Sequence, residues 1–189
     1  MEVKQRLYDV DDLWELYCRR SNDHLRFELI DGDIIEMSGP GGVHGELALT
    51  LGSYIRAFAK EHALGRTTVE TGYHPAEDRY NLLLPDVAYI SFERAPEPFP
   101  EKFVPAMPES AVEIKSPSNT LAELREKAGR YLRMGSTLIW IVLPAEESVE
   151  VCRLAQSGEI KRAVFGPGDA LSGAQVLPGF TLDLSQIFE

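Results

Sequence analysis

The sequence predicts an α+β fold, with a mixed central β-sheet flanked by helices and one domain spanning residues 1–189. Three observations lead there. Short apolar runs bounded by turn residues recur along the chain, as strands require. Two longer segments repeat their apolar residues at three- and four-residue spacing, as amphipathic helices do. One run, Leu138–Leu143, is almost wholly apolar, the signature of a strand buried on both faces.

Taken in order, Tyr8–Tyr17 reads as a short helix with Leu13, Trp14 and Tyr17 on one face, Trp14 being assigned to the core with Trp140. Phe27–Ile30 and Ile34–Met37 flank Asp31-Gly32, a strong two-residue hairpin signal. A glycine-rich loop from Ser38 to Gly45 follows. It lacks the Gly-Lys-Ser/Thr ending of a phosphate-cradling P-loop. A long helix is expected from His44 to His62, burying Leu47, Leu51, Tyr54, Ile55 and Phe58. Thr67–Tyr73 and Leu83–Phe92 read as strands, and the five prolines between Arg94 and Pro108 mark a loop crossing to the next strand, Ala111–Lys115. Thr120-x-x-Glu123 is a capping box. It opens a helix with Leu121, Leu124, Ala128, Tyr131 and Leu132 as its apolar stripe and Gly135 at its end. Val149–Leu154 and Lys161–Val164 form a C-terminal hairpin around Gly158, and Leu177–Phe188 is a tail.

Composition excludes several function classes. No run of about 18 apolar residues exists to cross a membrane, and no charged-then-apolar leader opens the chain. Cys18 and Cys152 lack CxxC spacing, so neither a disulfide framework nor a zinc site is indicated, and a reducing cytoplasm is the expected location. Lys+Arg 19 against Asp+Glu 30 gives a net charge of −11, against the usual basic footprint of a nucleic-acid binder. Local basic surface remains, with Arg125, Lys127, Arg130 and Arg133 on one helix and Arg19, Arg20, Arg26 and Arg56 elsewhere; for most of these an ordinary solvated face suffices.

The most informative constellation is Pro85-Asp86 followed by Glu113-Ile114-Lys115. On a strand, residues i and i+2 share a face, which would put Glu113 and Lys115 together with Ile114 in the core. Pairing this strand with the one that Asp86 opens brings two carboxylates beside an ammonium, with the three tips expected within about 4–7 Å. Two oxygen ligands suit Mg²⁺ or Mn²⁺, whose remaining positions are filled by water and phosphate oxygens. The lysine then offsets charge on a phosphate. The plain alternative is a strand start at Pro-Asp and a solvated Glu-x-Lys face.

Taken together, the element order and the motifs Phe27-Glu28-Leu29-Ile30-Asp31-Gly32, Gly42-x-His44-Gly45, Glu70-Thr71-Gly72, Pro85-Asp86-Val87-Ala88, Glu113-Ile114-Lys115-Ser116-Pro117-Ser118 and Pro178-Gly179-Phe180 resemble the Uma-type family of restriction-endonuclease-like domains, within the PD-(D/E)xK nuclease superfamily. The resemblance runs from about Tyr8 to Phe188. It implies a metal-dependent endonuclease core acting on DNA, with Asp86 and Glu113 holding the metal and Lys115 as the catalytic lysine. Where relatives lack that lysine, a helix lysine takes the role.

Glu28, His44, Glu46, Glu70 and Lys127 are accessory candidates. Glu28 is an extra acid or a charged residue on a hairpin face; His44 binds phosphate, acts as a base or opens the long helix. Glu46 is an extra ligand or a solvated helix residue, and Glu70 lies behind the ligands beside Gly72. Lys127 leans into the site or snorkels beside the stripe. Two other functions compete with a DNA endonuclease: a catalytically weak or inactive binding and assembly module on the same fold, and a small-molecule phosphodiesterase. Apolar surface at Leu138–Leu143 and Phe99–Phe103 leads to the expectation of a homodimer.

Overall fold

The computed structural model describes residues 6–22, 25–37 and 39–188. Three helices and ten strands alternate as α1 (Val10–Tyr17), β1 (Arg26–Ile30), β2 (Asp33–Met37), α2 (Gly42–Glu61), β3 (Gly65–Val69), β4 (Val87–Ser91), β5 (Ser110–Ile114), α3 (Leu121–Arg133), β6 (Leu138–Leu143), β7 (Ser148–Leu154), β8 (Ile160–Phe165), β9 (Ala170–Ser172) and β10 (Thr181–Asp183). Strands β3 to β8 lie side by side in chain order as one six-stranded sheet. All neighbours are antiparallel except β5 and β6, which α3 connects as a parallel pair. The expected α+β class and mixed central sheet are what the chain adopts.

Alternation along the central strands divides the core. Leu138, Trp140 and Val142 of β6 face α2, together with Val112 and Ile114 of β5. Ile139, Ile141 and Leu143 face α3 with Ala111. All six β6 residues are buried, as an apolar run without alternation demands. A third cluster joins α1 to the β1–β2 hairpin through Val10, Leu13, Phe27, Leu29 and Leu82. The hairpin docks against the residues ahead of β4 by reciprocal hydrogen bonds between Leu29 and Leu82, at 2.9 and 2.7 Å. Its turn has φ of 51° at Asp31 and 84° at Gly32. Two consecutive positive values are what a tight hairpin needs, which is why Asp-Gly stands there.

Several boundaries differ from expectation for local reasons. Helix α2 starts inside the glycine-rich run, at Gly42 with Gly41 as its cap, two residues ahead of His44; Ser38 lies outside the described residues. Tyr54 is 38% exposed and Phe58 only half-buried, so the buried stripe narrows to Leu47, Leu51, Ile55 and Ala59. The strand expected over Thr67–Tyr73 stops at Val69, because Glu70 takes a left-handed φ of 48° that breaks the ladder. Trp14 is half-buried, edge-on to Phe103 at 5.2 Å, whereas Trp140 is core.

One expectation is overturned and another loses the surface it was argued from. Leu177–Phe188 is not a tail: β10 pairs with β9, and Leu177, Phe180, Leu182, Leu184 and Ile187 close the α2 side of the core. Phe180 packs against Trp140 and Phe58, at 6.2 and 5.3 Å between ring centroids. The apolar surface invoked for a homodimer is also consumed within the chain. Trp140 is 1% exposed, and Phe103 packs on Trp14 and Tyr17. Those segments give no support to a dimer.

Leu182→Ala should therefore destabilise the protein by about 2–5 kcal/mol, the range for truncating a buried leucine. The neighbouring exposed Thr181→Ala should cost less than about 0.5 kcal/mol. Paired urea denaturation curves check this, and equal midpoints for the two variants would show that the C-terminal segment is a loose appendage.

Candidate active site

The site forms where three elements meet the edge of the sheet's α3 face. The β4–β5 register sets Val87 opposite Val112, so Asp86, one residue ahead of β4, lies beside the end of β5. Its N–H donates to Val112 O at 3.1 Å, and its Oδ2 accepts the Ile114 N–H at 2.6 Å. On β5, Ile114 buries toward α2, and Glu113 turns the other way, under α3. Glu28, in the middle of β1, is delivered by the docked hairpin, and its Oε1 accepts the Leu84 N–H at 2.8 Å.

Lys127 of α3 reaches down to these acids. Its Nζ lies 2.8 Å from Glu113 Oε2, 2.8 Å from Glu28 Oε1 and 3.2 Å from Leu84 O. Tyr131, one turn further along the same helix face, donates its hydroxyl to Glu113 Oε1 at 2.8 Å. His44, in the first turn of α2, sets Nε2 3.1 Å from Asp86 Oδ2. Its Nδ1 is buried and finds no partner among the described residues. Glu113, Glu28 and Lys127 are all nearly sealed from solvent, their side chains 4%, 6% and 12% exposed.

Burial pushes the Glu113 carboxyl up to about 8, helped by Asp86 and Glu28 and opposed by Lys127. Burial works against the charge on Lys127, but Glu113 and Glu28 outweigh it and raise its pKa. The Tyr131 hydroxyl is raised well above its ordinary value, first by burial and then by the same carboxylates. The centre thus holds Glu28 and Glu113 on one secure ammonium with Asp86 close to Glu113, and its proton inventory turns on Glu113.

The lysine at this centre is not the one the strand pattern singled out. Strand β5 ends at Ile114, one residue before Lys115, and the chain turns beyond it at Pro117. Lys115 does not line the cavity and makes no ion pair among the described residues, although its N–H donates to Val142 O. Glu46 is exposed on α2, away from the cavity, the solvated residue its alternative reading described. Glu70 also stays outside, holding Arg26 of the cavity wall at 2.5 Å. Glu28, His44 and Lys127 are brought in. Tyr131 was read only as part of the apolar stripe, and its position four residues after Lys127 was the available signal.

These groups open onto a cavity of about 460 Å³ between the β1–β2 hairpin, the start of α2 and α3. Its wall carries six carboxylates (Glu28, Glu36, Asp86, Glu113, Glu123 and Glu126) against Arg26, Lys127, Arg130 and His44. Among the described residues no three His, Cys, Asp or Glu side chains are gathered as a ready-made metal cluster. No helix among them is long and apolar enough to cross a membrane.

The family model described as "Putative restriction endonuclease", Uma2, matches residues 11–185. The chain belongs to the Uma2 family. Among solved structures, a nuclease-assigned DUF820 protein from Anabaena variabilis ATCC 29413 superposes with a TM-score of 0.77 at 20% identity, covering 95% of this chain and 97% of that one. At that identity the likeness establishes the fold. No curated protein matches this chain. The six motifs in register along the Uma2 sequence are thus matched by the fold they implied.

A carboxyl whose folded pKa is raised binds its proton more tightly in the folded state. Its stabilising contribution is full below the unfolded value of about 4.5 and is lost as pH rises through about 8. Metal-free protein should therefore lose thermal stability between pH 5 and about 8.5, and Glu113→Gln should flatten that decline. Melting curves across this range check the sign, and a wild-type Tm rising toward pH 8.5 would contradict it.

Proposed function

We propose that this Uma2 protein is a divalent-metal-dependent endonuclease hydrolysing phosphodiester bonds of DNA, with Asp86 and Glu113 holding Mg²⁺ or Mn²⁺ and Lys127, not Lys115, as the lysine of the site. The observation that carries the reading is Lys127 buried between Glu28 and Glu113 beside Asp86. Two carboxyl groups, Glu28 and Glu113, share the Lys127 cation, and Asp86 stands close to Glu113, so with all three ionised the carboxylates outnumber the lysine in a partly dry site. That surplus suits a dication. Among the described residues, the contacts to the Asp86 carboxylate from the Ile114 N–H and from His44 both fall on Oδ2. One or two carboxylates, with water and phosphate oxygens completing the shell, are the usual protein contribution to Mg²⁺.

When bound, a divalent cation supplies Lewis-acid polarisation of the phosphate and lowers the pKa of water. The chain's own residues do the rest. Glu113 must give up its proton to bind a cation, so metal affinity should strengthen as pH rises toward 8. With Glu113 holding a cation, Lys127 would stay on Glu28 and Leu84 O and would have one N–H for a phosphate oxygen, offsetting charge as the phosphorus is attacked. Tyr131 fixes the Glu113 carboxylate, and His44 orients Asp86. Arg26 and Arg130 stand on the same wall, each already paired with an acid, Glu70 and Glu126.

The volume of the cavity, about 460 Å³, also fits a small phosphorylated molecule, which supports a phosphodiesterase of small substrates as the second reading. Cleavage assays on supercoiled and single-stranded DNA, alongside a chromogenic phosphodiester, separate the two. With Mg²⁺ or Mn²⁺, Lys127→Ala should lower DNA cleavage by roughly 10²–10³-fold, the loss on removing one preorganised donor, whereas Lys115→Ala should leave it within about threefold. Asp86→Ala should abolish the thermal shift on adding metal. A large loss in Lys115→Ala with none in Lys127→Ala would reverse the assignment.

A further inference from the structure

A second concavity, of opposite charge, lies at the β3 edge of the sheet. It runs from the last turns of α2, carrying Arg56 and Lys60, over edge strand β3 at Arg66–Thr68, to Phe92 and Phe99. Its volume is about 390 Å³, and its wall holds three cations and no carboxylate, in a chain whose net charge is −11. Arg56 and Lys60 are four residues apart and share a helix face, yet neither makes an ion pair among the described residues. The Arg66 guanidinium sits over both aromatic rings, 5.6 Å from the Phe92 centroid and 5.0 Å from that of Phe99. Its one carboxylate neighbour is Glu97, at 3.5 Å and 81% exposed. Arg66 Nε and Thr67 Oγ1 are buried without a partner among the described residues. Phe92 is 52% exposed, an unusual surface position for a large ring beside three cations.

A helix C-terminus favours cations, which accounts for Lys60, but not for Arg66 on a strand or for the bare ring. Cations that hold phosphates, beside an aromatic face on which a base stacks, are the two parts of a sequence-tolerant single-strand binding groove. We propose that this groove binds single-stranded nucleic acid, Arg56, Lys60 and Arg66 taking backbone phosphates and Phe92 stacking a base. β3 and β4 run antiparallel, with Gly65 opposite Ser91 and Val69 opposite Val87. The groove therefore begins near Asp86 and extends about 17 Å from it, five residues at the strand rise. The cavity wall, with six carboxylates, repels a polyanion, whereas the groove wall carries none. The inference rests on the nuclease reading only for the polymer's identity.

Fluorescence anisotropy with a labelled oligothymidylate, in chelator so that cleavage plays no part, tests it over a salt series. Wild type should bind at low salt. Arg56→Ala/Lys60→Ala should weaken binding about tenfold and reduce the slope of log affinity against log salt by about 1.4, two phosphate contacts at the single-strand value. Phe92→Ala should weaken binding and leave the slope unchanged, since stacking releases no counterions. Unlabelled oligothymidylate should compete far better than inorganic phosphate at equal phosphate concentration. No binding by wild type, wild-type affinity and slope in the double variant, or equal competition by inorganic phosphate would each overturn the proposal. Binding without cleavage on adding metal would leave this groove standing and remove the nuclease reading.

Discussion

The site depends on the buried ammonium of Lys127 and the acids it holds. An ammonium and carboxylates taken out of water cost several kcal/mol each, and only close pairing returns that cost. Glu28 comes from the hairpin, Glu113 from the sheet and Lys127 from α3, so the pairing is satisfied only when all three are docked. The backbone of the segment before β4 adds its own ties, Leu84 N–H to Glu28 and Leu84 O to Lys127. The cluster is thus both the join between hairpin and sheet and the chemical centre of the cavity. A hydrophobic substitute could fill the volume and strengthen the join, but it would remove the charge imbalance that invites a dication.

Charge is distributed accordingly. Carboxylates outnumber cations around the cavity, whereas the groove at the β3 edge is lined by Arg56, Lys60 and Arg66 and by no carboxylate. A net charge of −11 therefore describes no single surface. Attraction for an anionic polymer and affinity for a cation are assigned to different places, which keeps arginines from occupying the carboxylates that a metal needs. Arg26 shows the limit of this separation, since Glu70 already holds it.

Most of the fold was legible because it rests on local rules. The Asp31-Gly32 turn, the Thr120–Glu123 capping box and the apolar run of β6 each have a physical cause contained in a few residues. The C-terminal segment was missed because Leu182 and Phe180 find their partners in α2 and β6, far away in sequence. At the site, strand spacing pointed to Asp86, Glu113 and Lys115, whereas the lysine that lies against Glu113 is Lys127. Alternation holds only while the ladder lasts, and β5 ends one residue before Lys115. Lys127 looked like a snorkelling neighbour of Leu124 because its partners, Glu28 and Glu113, lie on other elements. That pairing is tertiary, and no window of the sequence contains it.

Crystals grown with Mn²⁺ above pH 8, with data collected at the manganese absorption edge, test the central claim most directly. The account predicts an anomalous peak about 2.0–2.4 Å from carboxylate oxygens of both Asp86 and Glu113, with Lys127 still on Glu28. A peak elsewhere, or none at these carboxylates while Lys127 stays bound to Glu113, would contradict it.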